Sequence, residues 1–148
     1  MLRSAKQLQA EESAFHPGAQ DKLAVRRWIT SAQEKLRDAD NVSVSTGTRF
    51  EAAYDAAFNI ALAVVNASGW RPRSVQGHHA FALEAACEVI GAGLKTFDKL
   101  DAIRELRNQK YDGIPRTEAD LQEAKAAFQN FSDLAVAWLQ AKHPSLFK

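Results

Sequence analysis

The stretch TRFEAAYDAAFNIALAVVNASG, residues 48–69, decides the fold. Phe50, Tyr54, Ala57, Phe58, Ala61 and Val65 recur at steps of three and four, which puts them on one stripe of an α-helix. Alanines fill the positions around them, and small side chains let a neighbouring helix approach closely. Thr48 followed three residues later by Glu51 has the spacing of a capping box, so the helix is expected to start there. Ser68-Gly69 ends it, glycine taking the left-handed cap without penalty. A helix this apolar has to be covered on most of its circumference. Its surface looks larger than one small bundle hides, which predicts a homodimer.

The flanking sequence supplies the covering helices. Upstream, Val25, Trp28, Ile29, Ala32 and Leu36 fall at helical spacing after Asp21, and residues 40–47 read as a polar connection. Downstream, residues 70–77 read as a loop, and a helix over 78–90 carries Phe81, Leu83, Ala86 and Val89 until Gly91 and Gly93 stop it. A fourth helix follows Asp98 with Leu100, Ile103 and Leu106 inward, and breaks at Asp112-Gly113-Ile114-Pro115. The last opens on Thr117 and Asp120, again at capping-box spacing, and runs through Leu121, Ala124, Phe128, Phe131, Ala135, Trp138 and Leu139 to His143-Pro144. No segment alternates at period two for long enough to predict a strand. The expected fold is all-α: an up-and-down four-helix bundle with one additional short helix over residues 20–148, preceded by a mobile arm over 1–19 that ends at His16-Pro17-Gly18.

Composition bounds what such a bundle does. At 148 residues, 46% hydrophobic and 25% charged, the chain is an ordinary single globular domain. A formal net charge of +1 gives no overall attraction to nucleic acid or anionic membrane, so any such binding must come from a local patch. The opening residues lack the apolar core of a signal peptide, and the strongest apolar run, residues 60–65, is too short to span a bilayer. A cytoplasmic protein without membrane contact is expected. Its lone cysteine, Cys87, excludes an internal disulfide and a cysteine-based metal cluster, and among alanines it reads as a small core residue. No metal or cofactor is expected. The sequence has no phosphate-cradling glycine loop, nucleophile elbow or His-Glu-x-x-His.

Three polar constellations remain. Arg104, Arg107, Asn108, Lys110 and Tyr111 close the fourth helix, and spacings of three and four align Arg104, Arg107 and Tyr111 for a bidentate grip on phosphate. The ordinary reading of the same cations is that they complement the helix dipole. Arg71, Arg73, Gln76, Gly77, His78 and His79 gather two arginines and two histidines at a helix N-terminus, a place that suits an anion. A solvated loop with one half-buried histidine explains them equally well. Adjacent histidines diverge by about a hundred degrees on a helix, which opposes chelation of one metal by both. Asp55, Asn59 and Asn66, beside Tyr54, are polar positions on an apolar helix, serving either a buried network or an outward face.

Several of these segments resemble the HEPN superfamily of small helical domains. Residues 54–61 are similar to its helix pattern of an aromatic, small residues, a second aromatic and a polar residue; residues 68–73 and Gly77-His78-His79 resemble its inter-helix loop and following helix start. Residues 107–112 resemble its Arg-Asn element with a Tyr-Asp ending, and residues 137–139 running into His143-Pro144 fit the same branch. The resemblance covers roughly residues 20–144, about one domain. It implies a nucleotide- or RNA-associated interaction module of a bacterial toxin–antitoxin or defence system, homodimeric and partnered by a nucleotidyltransferase-like protein or by RNA. The family's ribonucleases use an arginine and, after four to six intervening residues, a histidine. Counting from Arg107 those positions hold Asp112, Gly113 and Ile114, so the histidine is missing and a non-catalytic role is expected. A divergent metal-independent ribonuclease remains open if the fold brings His78 or His79 to Arg107, as imidazole is the side chain suited to taking a proton near neutral pH. A bundle that binds a small molecule is the third possibility. The expected ligand-binding set is Arg104, Arg107, Asn108, Tyr111, Arg73, His78 and His79.

Overall fold

The computed structural model describes residues 1–109 and 112–147, the last without its side chain. Its elements are α1 (Ala5–Glu12), β1 (Phe15–Pro17), α2 (Lys22–Ala39), α3 (Thr46–Ala67), β2 (Trp70–Pro72), α4 (His78–Ile90), α5 (Leu94–Asn108), α6 (Glu118–Lys142) and a closing 3-10 turn, Pro144–Phe147. The all-α bundle read from the sequence is the fold observed, with α3 at its centre.

Helix α3 packs along α2 and α6 and also meets α4 and α5. Phe50, Tyr54, Ala57, Ile60, Ala61 and Val64 are buried with Leu83 of α4, Leu100 and Ile103 of α5, and Phe128 and Phe131 of α6 in one core. Apolar α3 is thus covered inside a single chain, and its composition gives no reason of its own for a second copy. Its start differs from the expectation. Ser45, not Thr48, is the N-cap: its Oγ accepts from the Thr48 backbone N–H and donates to Thr48 Oγ1. Two hydroxyls stood in competition, and the upstream one won because Thr46 and Gly47 extend the helix by most of a turn. Helix α5 likewise begins at Leu94, a turn before Asp98. At α6 the capping box of Thr117 and Asp120 forms as read, each side chain accepting from the other's backbone N–H. At the end of α4, Gly91 takes φ +71° as the left-handed cap.

Residues 1–19, expected to be an arm, are folded onto the bundle. Ser4 and Gln7 make a capping box for α1, and Leu8, Ala14 and Phe15 are fully buried against Val65 and Ala85. Arg3 holds Glu84 of α4 through its backbone N–H (2.7 Å) and its guanidinium (3.1 Å). After that, β1 pairs antiparallel with β2, His16 opposite Arg71. Residues 70–77 are therefore only partly loop. Gly18 lets the chain pass the Arg71 side chain, since a Cβ there would lie 2.8 Å from Arg71 Cγ. A three-residue ladder is too short to show a periodicity, so no strand is legible there in the sequence.

No helix among the described residues is long and apolar enough to cross a membrane.

Candidate functional site: the Tyr54 cluster

Three of the candidate residues, His78, His79 and Arg107, gather around Tyr54, a core position of α3 that is 1% exposed. His79, in the first turn of α4, sets Nδ1 3.0 Å from the Tyr54 hydroxyl. The same imidazole stacks on Phe58, one turn along α3, with ring centroids 4.0 Å apart and planes 8° from parallel. His78 meets His79 edge-on at 4.6 Å. From the other side, α5 lays the Arg107 guanidinium over the Tyr54 ring, 5.5 Å from its centroid, a cation–π arrangement.

Burial sets the protonation of this cluster. It pushes the Tyr54 hydroxyl well above the ordinary phenol range, despite the opposing pull of Arg107 and Arg104. Burial also lowers His79 to about 4, helped by His78, Arg107 and Arg104, whose charges oppose a second cation. At neutral pH the Tyr54–His79 bond therefore joins two uncharged groups. His78 has its tautomer fixed differently: its Nδ1 lies 3.1 Å from the Val75 carbonyl, which can only accept, so Nδ1 carries the proton. In neutral His78 the bare lone pair is then on Nε2.

The two arginines differ. Arg104 is fastened within its own helix, Nε donating to Asp101 at 2.8 Å and Nη2 3.7 Å from Glu105. Arg107 is held more loosely. Nη2 is 3.9 Å from Asp55, and Nε is buried with no hydrogen-bond partner among the described residues. An unsatisfied buried N–H costs about 1–3 kcal/mol, which a ligand acceptor recovers when the Arg107 side chain shifts to bring Nε within reach. Its side chain also lines a hollow of about 230 Å³ between the start of α3 (Ser45, Gly47, Thr48), Leu106 and the 114–116 segment.

The other candidates lie elsewhere. Arg73 is exposed beyond β2, its backbone N–H bonded to Ala14, and has no side-chain contact with the cluster. Arg71 donates to the carbonyls of Trp70 and Ala19, so the expected two-arginine anion loop is instead a strand fastening. Asn108 is exposed at the end of α5. Lys110 and Tyr111 lie outside the described residues. Asp55, Asn59 and Asn66 do not form one network. Asp55 faces Arg107, Asn59 donates to Ser31 Oγ at 2.8 Å, and Asn66 accepts from the Asp21 backbone N–H at 2.9 Å to join α3 to the start of α2. Cys87 is buried, which pushes its thiol up to about 12 and leaves it unreactive.

Sequence reasoning treated Phe58 as plain core and Tyr54 as a neighbour of polar residues. Their spacing of four, with an acid between them, was the available signal that this face meets polar partners. Comparison with protein-family models, with curated proteins and with solved structures finds no match to the chain.

Proposed function

We propose that this protein is a HEPN-like, non-catalytic module of a bacterial toxin–antitoxin or defence system that binds a phosphate of a nucleotide or RNA at Arg107. The observation that carries this is the buried Nε of Arg107, which has no hydrogen-bond partner among the described residues and is set between an aromatic cluster and a hollow. A guanidinium with an unused donor suits a phosphate oxygen, and the exposed edges of Phe58, His78 and His79 are the kind of surface on which a base rests. Asp55 and Asp101 offset much of the positive charge and a single phosphate is engaged, so binding should be modest and only shallowly weakened by salt. A nucleoside diphosphate or short RNA should raise the melting temperature at low salt, and Arg107→Ala should remove the shift while remaining folded. Survival of the shift in Arg107→Ala sinks the reading. The resemblance alone supports a homodimer beside a nucleotidyltransferase-like partner, and light scattering that finds a 16.3 kDa particle at micromolar concentration counts against the dimer.

A second reading, a metal-independent ribonuclease, is favoured by one observation: Tyr54 contacts both Arg107 and His79. Of the two histidines, His78 is the better base, because its Nε2 lone pair is bare whereas His79 is held far below neutrality. Cleavage of a structured RNA in EDTA, lost in both Arg107→Ala and His78→Ala but kept in Lys125→Ala, would replace the non-catalytic reading with this one.

A further inference from the structure

A larger hollow, of about 390 Å³, lies between α5 and α6 and shares only Leu106 with the one beside Arg107. Ile103, Leu106 and Ala127 make its apolar floor, and Ala126 stands exposed at its wall. This volume is within the range of small-molecule clefts, about 300–1,000 Å³.

Polarity changes along its length. At one end stand three donors: the Thr96 hydroxyl, the Asn130 amide that reaches it at a long 3.4 Å, and the Lys99 ammonium. Thr96 belongs to the first turn of α5, where Gly93 is the N-cap and no side chain caps the helix, so the positive end of the dipole adds to Lys99. Toward the other end is Glu123, about two turns along α6 from Asn130. Among the described residues neither Lys99 nor Glu123 has an ion-pair partner. An anionic head is drawn to the Thr96–Lys99–Asn130 end and repelled from Glu123, while the floor between them accepts only hydrocarbon.

We propose that the α5–α6 hollow is a binding site for a medium-chain monocarboxylate, with its carboxylate on Lys99, Thr96 and Asn130 and its tail along Ile103 and Leu106. The site goes beyond the nucleotide reading and does not depend on it. Octanoate, below its aggregation threshold, is to be compared with octylammonium and acetate by thermal melting and titration calorimetry. Octanoate should raise the melting temperature by about 2–6 °C at saturation with one-to-one stoichiometry, and the other two should not. Ala126→Phe fills the hollow from an exposed position and should abolish the shift. Lys99→Glu should weaken binding by about tenfold or more, the scale of one charge-assisted contact. Lys95→Ala, an exposed lysine off the hollow, should bind as the parent does. Should Ala126→Phe fail to fold, Lys99→Glu carries the test alone. An equal response to octanoate and octylammonium, no response to octanoate, or octanoate binding unchanged in Lys99→Glu overturns the proposal.

Discussion

At the scale of single residues, His79 has the largest consequence for behaviour in solution. Its folded pKa of about 4 lies below the usual 6.5, so between those values the unfolded chain binds more protons than the folded one. The stability that neutral His79 confers is complete above about pH 6.5 and is lost as pH falls toward about 4. The ring is only half-buried, and water screens part of the effect. The loss should be about 1 kcal/mol rather than the full linkage value. Urea melts of the parent and His79→Gln across that window should show a shallower acid decline in the variant. Parallel pH profiles would mean that His79 is not the group responsible. The sequence placed His79 at a helix start and made it a candidate, but could not set its environment. That environment comes from Tyr54 and Phe58 of another helix, twenty-five and twenty-one positions away. Arg107 was likewise legible as a residue of interest. Its missing partner was not, because an unsatisfied N–H is a property of packing alone.

At the scale of elements, long apolar stripes and the cap of α6 were legible, whereas the cap of α3 and the short partnered pieces were not. Helices α3, α4 and α6 each carry enough turns of periodic apolar residues to show themselves, and Thr117 with Asp120 marks the start of α6 to the residue. Helix α1 has eight residues and a single fully buried side chain, Leu8, so its stripe is too short to outweigh its polar composition. What holds it is tertiary: Leu8 packs with Phe15 and Val65, and Arg3 satisfies Glu84, which is only 8% exposed. Leu8→Ala should therefore cost about 2–5 kcal/mol, as for a buried leucine anywhere in a core. Arg3→Ala should cost about 1–3 kcal/mol by taking the guanidinium from a buried carboxylate that keeps only the backbone N–H of residue 3. In Glu84→Gln the carboxylate charge is gone, so Arg3→Ala on that background should cost less. Denaturant melts of the parent and these four variants decide this. If Leu8→Ala is as stable as the parent, residues 1–19 are the loose arm that their sequence suggests.

At the scale of the whole molecule, α3 is the member common to all three apolar clusters. Its length runs through the main core, Val65 enters the cluster under α1 and β1, and Ala63 and Ala67 enter the one formed with Val25, Leu139 and Leu146. The two smaller clusters both rest on the last turns of one helix, so neither can open without exposing α3, and α3 cannot unravel without releasing both. The chain should therefore unfold as one cooperative unit, as single domains of this size usually do. The tryptophans make this testable: Trp70 packs in the first satellite, Trp28 in the second, and Trp138 in the second and against the main core. A protein carrying Trp28→Phe and Trp138→Phe reports from Trp70 alone, and Trp70→Phe reports from the other pair. Each fluorescence transition in urea should coincide with loss of helical circular dichroism. Val65→Ala, a buried position of the first cluster, should move both reporters to lower urea together. A Trp70 transition that precedes loss of helix in the parent would show that residues 1–19 and β2 open on their own. The N-terminal segment would then be a separate folding unit, and its burial against Val65 and Ala85 would contribute little to the stability of the bundle.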